Sequence, residues 1–274
     1  MPPPPLVVPF TKMDGAGNDF VVLDNRFLHF SADELAALAV RACPRRTGVG
    51  ADGLLALEDD AEADFRMRYR NADGSLGTMC GNGARCLARY AAEAGLGTRD
   101  GAAVSLVFET DGGRYRALVP DTGDVRLDVP DAQGFAELGG DLDDAAVFQI
   151  WTGTEHAVLF VDDVAACDLA AVGPRLRHHD AFAPAGTNVN AVEVVGPDRI
   201  RVRTFEKGVE AETLACGTGA LATALVAHRT GRVEGSTVAV EMPGGTLTVG
   251  LGGGLTLAGP ARTVYAGTLE WRGA

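Results

Sequence analysis

No CxxC pair occurs among the five cysteines of this 274-residue chain, so their spacing offers neither a zinc knuckle nor a disulfide-exchange centre. Five is also an odd number, and reduced thiols in a cytoplasmic protein are the expectation. Long apolar runs are missing: no window reaches the length of a membrane span. The start, Met1-Pro2-Pro3-Pro4-Pro5, has neither a basic nor an apolar leader region, and its prolines are expected to form a short extended arm. Positive charge is scarce. The net charge is −13, with Asp and Glu spread along the chain, which would repel phosphate backbones and anionic membranes. Neither nucleic acid nor a membrane is an expected partner. In the loop Asp14-Gly15-Ala16-Gly17-Asn18, neither GxGxxG nor GxxxxGK[ST] can be read, so a nucleotide loop is set aside there.

What the chain does have is a stretch that occurs twice. Cys80-Gly81-Asn82-Gly83-Ala84 opens a run of small and apolar residues, and Cys216-Gly217-Thr218-Gly219-Ala220 opens another, 136 positions later. The surroundings repeat as well. Asn18 and Thr154 each stand 62 residues before their cysteine, Arg66–Asn71 precedes the first motif and Arg201–Glu206 the second. Such a self-match predicts duplicated halves, each presenting a thiol to a common cleft.

Between these landmarks the chain reads as many short strands with few helices. Ser31-Ala32-Asp33-Glu34 is a capping box that starts a short helix, with Leu35, Leu38 and Ala39 on its apolar face and Pro44 as its stop. Gly48–Gly53 is a glycine-rich loop leading into the apolar strand Leu54–Leu57, and is read as a turn. Hairpins are expected over Val104–Val129, with Asp111-Gly112-Gly113 and Asp121–Asp124 as turns. The polar stretch Pro130–Asp144 reads as the crossing into a second half that rebuilds the same order. The segment Ala220–Ala227 is apolar on nearly every face and belongs inside something. The expected fold class is α+β: two pseudo-symmetric domains, each a barrel-like, largely antiparallel sheet wrapped around a central helix. Expected boundaries are 1–130 for the domain carrying Cys80 and 131–261 for the domain carrying Cys216, with 262–274 as a tail packing back on the first.

A cysteine at a helix start meets unpaired backbone N–H groups and the positive end of the helix dipole, so its thiol loses a proton more readily. A lone cysteine is usually structural, and Cys43, Cys86 and Cys167 take that reading. The doubled Cys-Gly-Xaa-Gly-Ala context sets Cys80 and Cys216 apart, because bare glycine backbone at a helix start serves a ligand better than a core. Two activated thiols suit racemisation or epimerisation, in which a proton leaves one face of a carbon and another arrives on the opposite face. The helix starts would bind the substrate carboxylate and stabilise the charge that spreads into it. Such chemistry calls for no cofactor and no metal.

The segments Lys12–Phe20, Asn71–Ser75 running to Cys80–Cys86, and Glu212–Gly219 resemble diaminopimelate epimerases, and the likeness covers nearly the whole chain. The resemblance implies a cofactor-independent two-base epimerase acting on a small diamino-dicarboxylate, interconverting LL- and meso-diaminopimelate in lysine and peptidoglycan-precursor synthesis. It also implies substrate contacts from Asn18, Asn71, Asn190 and Glu206, and carboxylate contacts from Gly81, Asn82, Gly217 and Thr218. His156, with Glu206, takes the place of residues that tune thiol protonation, and Tyr265 that of a homodimer contact. Lys207 stands where the family typically has arginine, Thr154 where it has an asparagine, and Gly53 where some members have a glutamine. Lys207 is expected to join the grip on the distal carboxylate, although lysine cannot form a two-pronged one. Three other readings stay open. One is a same-fold epimerase of another amino acid; the others are a cysteine hydrolase using His156 and a redox protein pairing Cys80 with Cys216.

Overall fold

The computed structural model describes residues 5–139, 142 and 146–273; the proline arm up to Pro4 and part of the expected crossing lie outside them. The chain divides into two compact units, Met1–Leu127 with Gly259–Ala274, and Asp128–Ala258. Each is α+β and dominated by strands.

In the first unit, strand Leu6–Gly15 pairs antiparallel with Asn18–Asp24, which runs parallel to Gly53–Glu58 through Phe20↔Gly53. Gly53–Glu58 pairs antiparallel with Phe65–Asn71, and Phe65 in turn sits parallel to Phe108 of the hairpin Ala103–Thr110/Gly113–Pro120. The last strand, Arg262–Trp271, returns to pair antiparallel with Leu6–Gly15. Helix Gly81–Glu93 packs on strands Leu6–Gly15, Asn18–Asp24, Gly53–Glu58 and Phe65–Asn71 and on both strands of the hairpin, which is what a sheet curled around a central helix requires.

Alternation along the strands explains why two helices are needed. Val21, Leu23, Leu54 and Ala56 point to one face, where Leu35 and Leu38 of helix Ala32–Ala42 cover them together with Phe30 and Trp271. Phe20 and Leu55 point to the other, where they close on Gly83 of the cysteine helix. Strands buried on both faces read as continuous apolar runs rather than alternating ones. The Ser31–Glu34 capping box forms as the sequence suggests.

The second unit repeats this plan. Glu155–Phe160 pairs antiparallel with Val147–Trp151 and parallel with Asn188–Gly196, which pairs antiparallel with Arg199–Glu206. Thr237–Met242 runs parallel to Arg199–Glu206 and forms a hairpin with Gly245–Gly250. Helix Gly217–Arg229 begins and ends 136 residues after helix Gly81–Glu93.

One element differs from the expectation of a single helix in this half. Helix Leu169–Arg177, capped by the Asp168 side chain, packs Leu169 and Leu176 on Val189, Ala191 and Phe205. It is the counterpart of helix Ala32–Ala42. Pro174 lies inside it and hides it from a periodicity reading, because proline removes one helical hydrogen bond and normally marks a break. No helix among the described residues is long and apolar enough to cross a membrane.

Candidate active site

Pairing register gathers the polar residues of each unit at one end of its strands. In the first unit, Asn18 opens one strand, Gly53 opens its parallel neighbour and Asn71 closes the next, opposite Gly53. Cys80 is the N-cap of the cysteine helix, in extended conformation, and its side chain makes no cap hydrogen bond. Its Sγ lies 3.6 Å from Asn18 Oδ1, so a thiol there can donate to the amide oxygen. Asn82 Nδ2 donates to the same oxygen at 3.3 Å, and Asn18 Nδ2 donates to Asp52 at 2.6 Å. Asn18, Cys80 and Asn82 thus form one cluster. Asn71 is turned to Ser75 instead, donating to its Oγ at 2.9 Å.

Beneath Asn18 lies a charged support. Lys12 is buried, forms an ion pair with Asp19 at 2.7 Å and donates to the Gly50 carbonyl. Burial alone would raise the Asp19 carboxyl, yet Arg45 and Lys12 hold it down at about 2. Arg45 also grips Asp52 at 2.6 Å. The two structural thiols nearby go the other way: burial pushes Cys43 up to about 11 and Cys86 to about 12. They stay protonated.

Gly53 leaves no room for a side chain: a Cβ there would stand 2.7 Å from the Arg70 carbonyl oxygen. The glutamine that some family members carry at this position would need a different backbone.

In the second unit Cys216 is again an extended N-cap, but here its Sγ accepts from Gly219 N–H at 3.4 Å and lies 3.4 Å from Thr218 Oγ1. Thr152 secures this helix start by donating to the Thr218 carbonyl at 2.9 Å. Gly219 is required by close approach, since a Cβ would meet Asn190 Oδ1 at 2.7 Å and Cys216 Sγ at 3.3 Å.

His156 is 1% exposed, and each ring nitrogen faces a side-chain amide. Asn190 Nδ2 lies 3.1 Å from Nδ1 and Asn188 Nδ2 lies 3.5 Å from Nε2. The amide orientations are set elsewhere. Asn190 accepts from Thr204 and donates to the Ala157 carbonyl, both at 2.9 Å, while Asn188 accepts from Lys207 N–H at 2.7 Å. The Asn190 donor makes Nδ1 the acceptor and leaves the single ring proton on Nε2, and burial, aided by the charge of Lys207, pushes His156 down to about 3. It is a neutral imidazole, not a cation.

Glu206 accepts from Thr213 Oγ1 at 2.8 Å, and burial raises its carboxyl above the ordinary range despite that bond. Lys207 Nζ is turned to Glu155 at 2.5 Å. Thr154 donates to the same carboxylate. Among the described residues no group of three His, Cys, Asp or Glu side chains could hold a metal ion. Tyr265 lies on strand Arg262–Trp271, with its ring edge on Phe10.

Sequence reasoning did not single out Asp52, Arg85, Asn188, Thr204 or Thr213. Arg85 and Thr213 had a signal, since each lies inside a segment that carries the resemblance; Thr204 had none, because its role comes from strand register.

The family model for diaminopimelate epimerase matches residues 10–132 and 148–254. The diaminopimelate epimerase of Chlorobaculum tepidum is 42% identical, over 94% of this chain and 99% of that protein. The chain belongs to the diaminopimelate epimerase family. The Aquifex aeolicus diaminopimelate epimerase, 39% identical, covers 95% of this chain and 97% of its own length. Among solved structures, a phenazine biosynthesis protein of the PhzF family from Bacillus anthracis superposes with a TM-score of 0.71 at 16% identity, covering 96% of this chain and 99% of its own. A hydroxyproline epimerase from Agrobacterium vitis does so at 0.67 and 18%, covering 96% and 92%. These distant likenesses show that the diaminopimelate epimerase fold is the one described above. The fold class and the family agree with the expectations drawn from the sequence.

Proposed function

We propose that this isomerase interconverts LL- and meso-diaminopimelate without a cofactor, using Cys216 and Cys80 as its two acid–base groups. The observation that carries the mechanism is the unlike surroundings of the two thiols. Cys216 Sγ receives a backbone N–H and stands beside a hydroxyl at the start of a 13-residue helix, surroundings that favour a thiolate. Cys80 Sγ faces an amide oxygen, which favours a thiol. In the forward cycle Cys216 thiolate takes the α-proton, forming an S–H bond as the C–H bond breaks, and the electron pair spreads into the substrate carboxylate. Cys80 then gives its proton to the opposite face of the carbon, leaving Cys80 as thiolate and Cys216 as thiol. Each turnover exchanges their roles.

The backbone N–H groups at the helix starts Gly81–Asn82 and Gly217–Thr218 would hold the reacting carboxylate. The distal amino-acid end needs an acceptor for its ammonium and donors for its carboxylate. Glu206 supplies the first; Asn71 and Lys207 supply the second, with Lys207 exchanging Glu155 for substrate, while Asn190, its NH2 shared between His156 and the Ala157 carbonyl, supports that side of the site from beneath. His156 acts through Asn190 as a neutral, acceptor-bearing support. We place the enzyme in the cytoplasm, where thiols remain reduced. We also propose that it is a homodimer through the paired strands Leu6–Gly15 and Arg262–Trp271, whose Leu6, Val7, Val264 and Tyr265 are exposed; sedimentation as a monomer at micromolar concentration would end that reading.

The substrate is tested by chiral chromatography of reactions with LL-diaminopimelate and a panel of single-headed amino acids. Conversion of diaminopimelate far above the rest is expected. Faster epimerisation of a monoamino acid, with Glu206→Ala harmless to it, would favour the same-fold rival.

A further inference from the structure

The two cysteine helices are not equivalent in charge. Arg85, in the second turn after Cys80, corresponds by the 136-residue repeat to Leu221. Its side chain is 0% exposed, and its guanidinium donates to the Asn82 side-chain oxygen at 2.9 Å, the Gly81 carbonyl at 3.3 Å and the Pro260 carbonyl at 3.4 Å. All three acceptors are neutral. Among the described residues no carboxylate forms an ion pair with it, and a buried charge without a counter-ion is costly. Cys86, Cys80, Asp124 and Asp14 are among the ionisable groups that feel it. Cys86 is held protonated by burial, Asp124 is exposed, and Asp14 is occupied by Gly17 N–H at 2.8 Å. Of these four, Cys80 is the one left to respond.

Arg85 also sets the direction of the hydrogen bonds around Cys80. A guanidinium only donates, so Asn82 turns its oxygen to Arg85 and its NH2 to Asn18. At the other end, the Asp52 carboxylate held by Arg45 only accepts, so Asn18 turns its NH2 to Asp52 and its oxygen to Cys80 Sγ. That oxygen opposes the thiolate. A two-base cycle nevertheless requires Cys80 to be a thiolate after each forward turnover.

We infer that Arg85 is a positioning residue, whose buried charge offsets the Asn18 oxygen so that Cys80 can take its turn as thiolate while its fork fixes the Asn82 amide. The inference rests on the two-base reading above. At the second helix a backbone N–H and a hydroxyl do the same work, so Leu221 suffices there.

The test follows the pH dependence of iodoacetamide alkylation at Cys80 and Cys216, resolved by peptide mass spectrometry, in the full-length protein. Arg85→Met should raise the Cys80 midpoint by about one pH unit or more, which is about ten-fold less thiolate at a given pH, and leave Cys216 in place. Arg85→Lys, which keeps the charge, should restore most of the shift. Asp52→Asn should act in the opposite sense, lowering the Cys80 midpoint by releasing the Asn18 amide, and it keeps the test available if Arg85→Met fails to fold. An unmoved Cys80 midpoint in the folded Arg85 variant, equal shifts at both cysteines, or no fall with Asp52→Asn would overturn the inference. Failure of the two-base reading looks different: epimerisation would survive Cys80→Ala while the Cys80 midpoint still followed Arg85.

Discussion

Replacing His156 by glutamine should remove a specific pH dependence of stability. The ring is buried, both nitrogens face amide NH2 groups, and its folded value lies near 3. In the unfolded chain histidine titrates near 6.5. A base whose folded pKa is depressed contributes stability that is complete above about pH 6.5 and is lost as pH falls towards 3, because only the unfolded state takes the proton. The slope is about 1.4 kcal/mol per pH unit, so at about pH 5 the wild type should have lost about 2 kcal/mol through this one residue. The measurement is urea unfolding at several pH values between about 7 and 5. A Trp271→Phe background leaves Trp151 as the single tryptophan, in the same unit as His156. His156→Gln should be less stable at neutral pH yet lack the slope, so the two curves converge on acidification. Parallel curves would show that His156 is not the neutral, donor-faced ring described here.

Two other substitutions probe the site directly. Gly219→Ala should gain up to about 1 kcal/mol of helix propensity, but its Cβ would stand 2.7 Å from Asn190 Oδ1. Turnover should therefore fall by about ten-fold or more, a loss of about 1.4 kcal/mol, while the thermal midpoint changes little; full activity would mean that the Gly219 N–H contact to Cys216 is dispensable. Glu155→Gln frees Lys207 from its half-exposed ion pair, which is worth at most about 1 kcal/mol. If Lys207 grips the distal carboxylate, KM for diaminopimelate should drop in that variant, whereas a rise would place Lys207 in support of Glu155 instead.

Much of the fold was legible because it is written twice. The repeated Cys-Gly-Xaa-Gly-Ala motif marks both helix starts, the Ser31–Glu34 box marks a cap, and apolar runs such as Leu54–Leu57 mark strands buried on both faces. Helix Leu169–Arg177 was hidden by Pro174. At the site, residues that act through their own chemistry were readable, while those that act through placement were not. Thr204 and Asn188 matter because strand register puts them against Asn190 and His156. The Asn18 amide takes its direction from Asp52, 34 positions away in the chain, while that of Asn82 depends on Arg85 on the same helix. Lys207, read as a carboxylate donor, is turned to Glu155, a partner that its spacing does not announce.

The central claim is that Cys80 and Cys216 are the acid and base of an epimerisation that exchanges protons with solvent. Its most direct test is incubation of LL-diaminopimelate in heavy water with the wild type, Cys80→Ala and Cys216→Ala, reading deuterium at the α-carbon by mass spectrometry. The wild type should place one deuterium in each molecule of meso product at early times, and neither variant should epimerise. Product free of deuterium in the first turnovers, or near-normal epimerisation by either variant, would contradict the account.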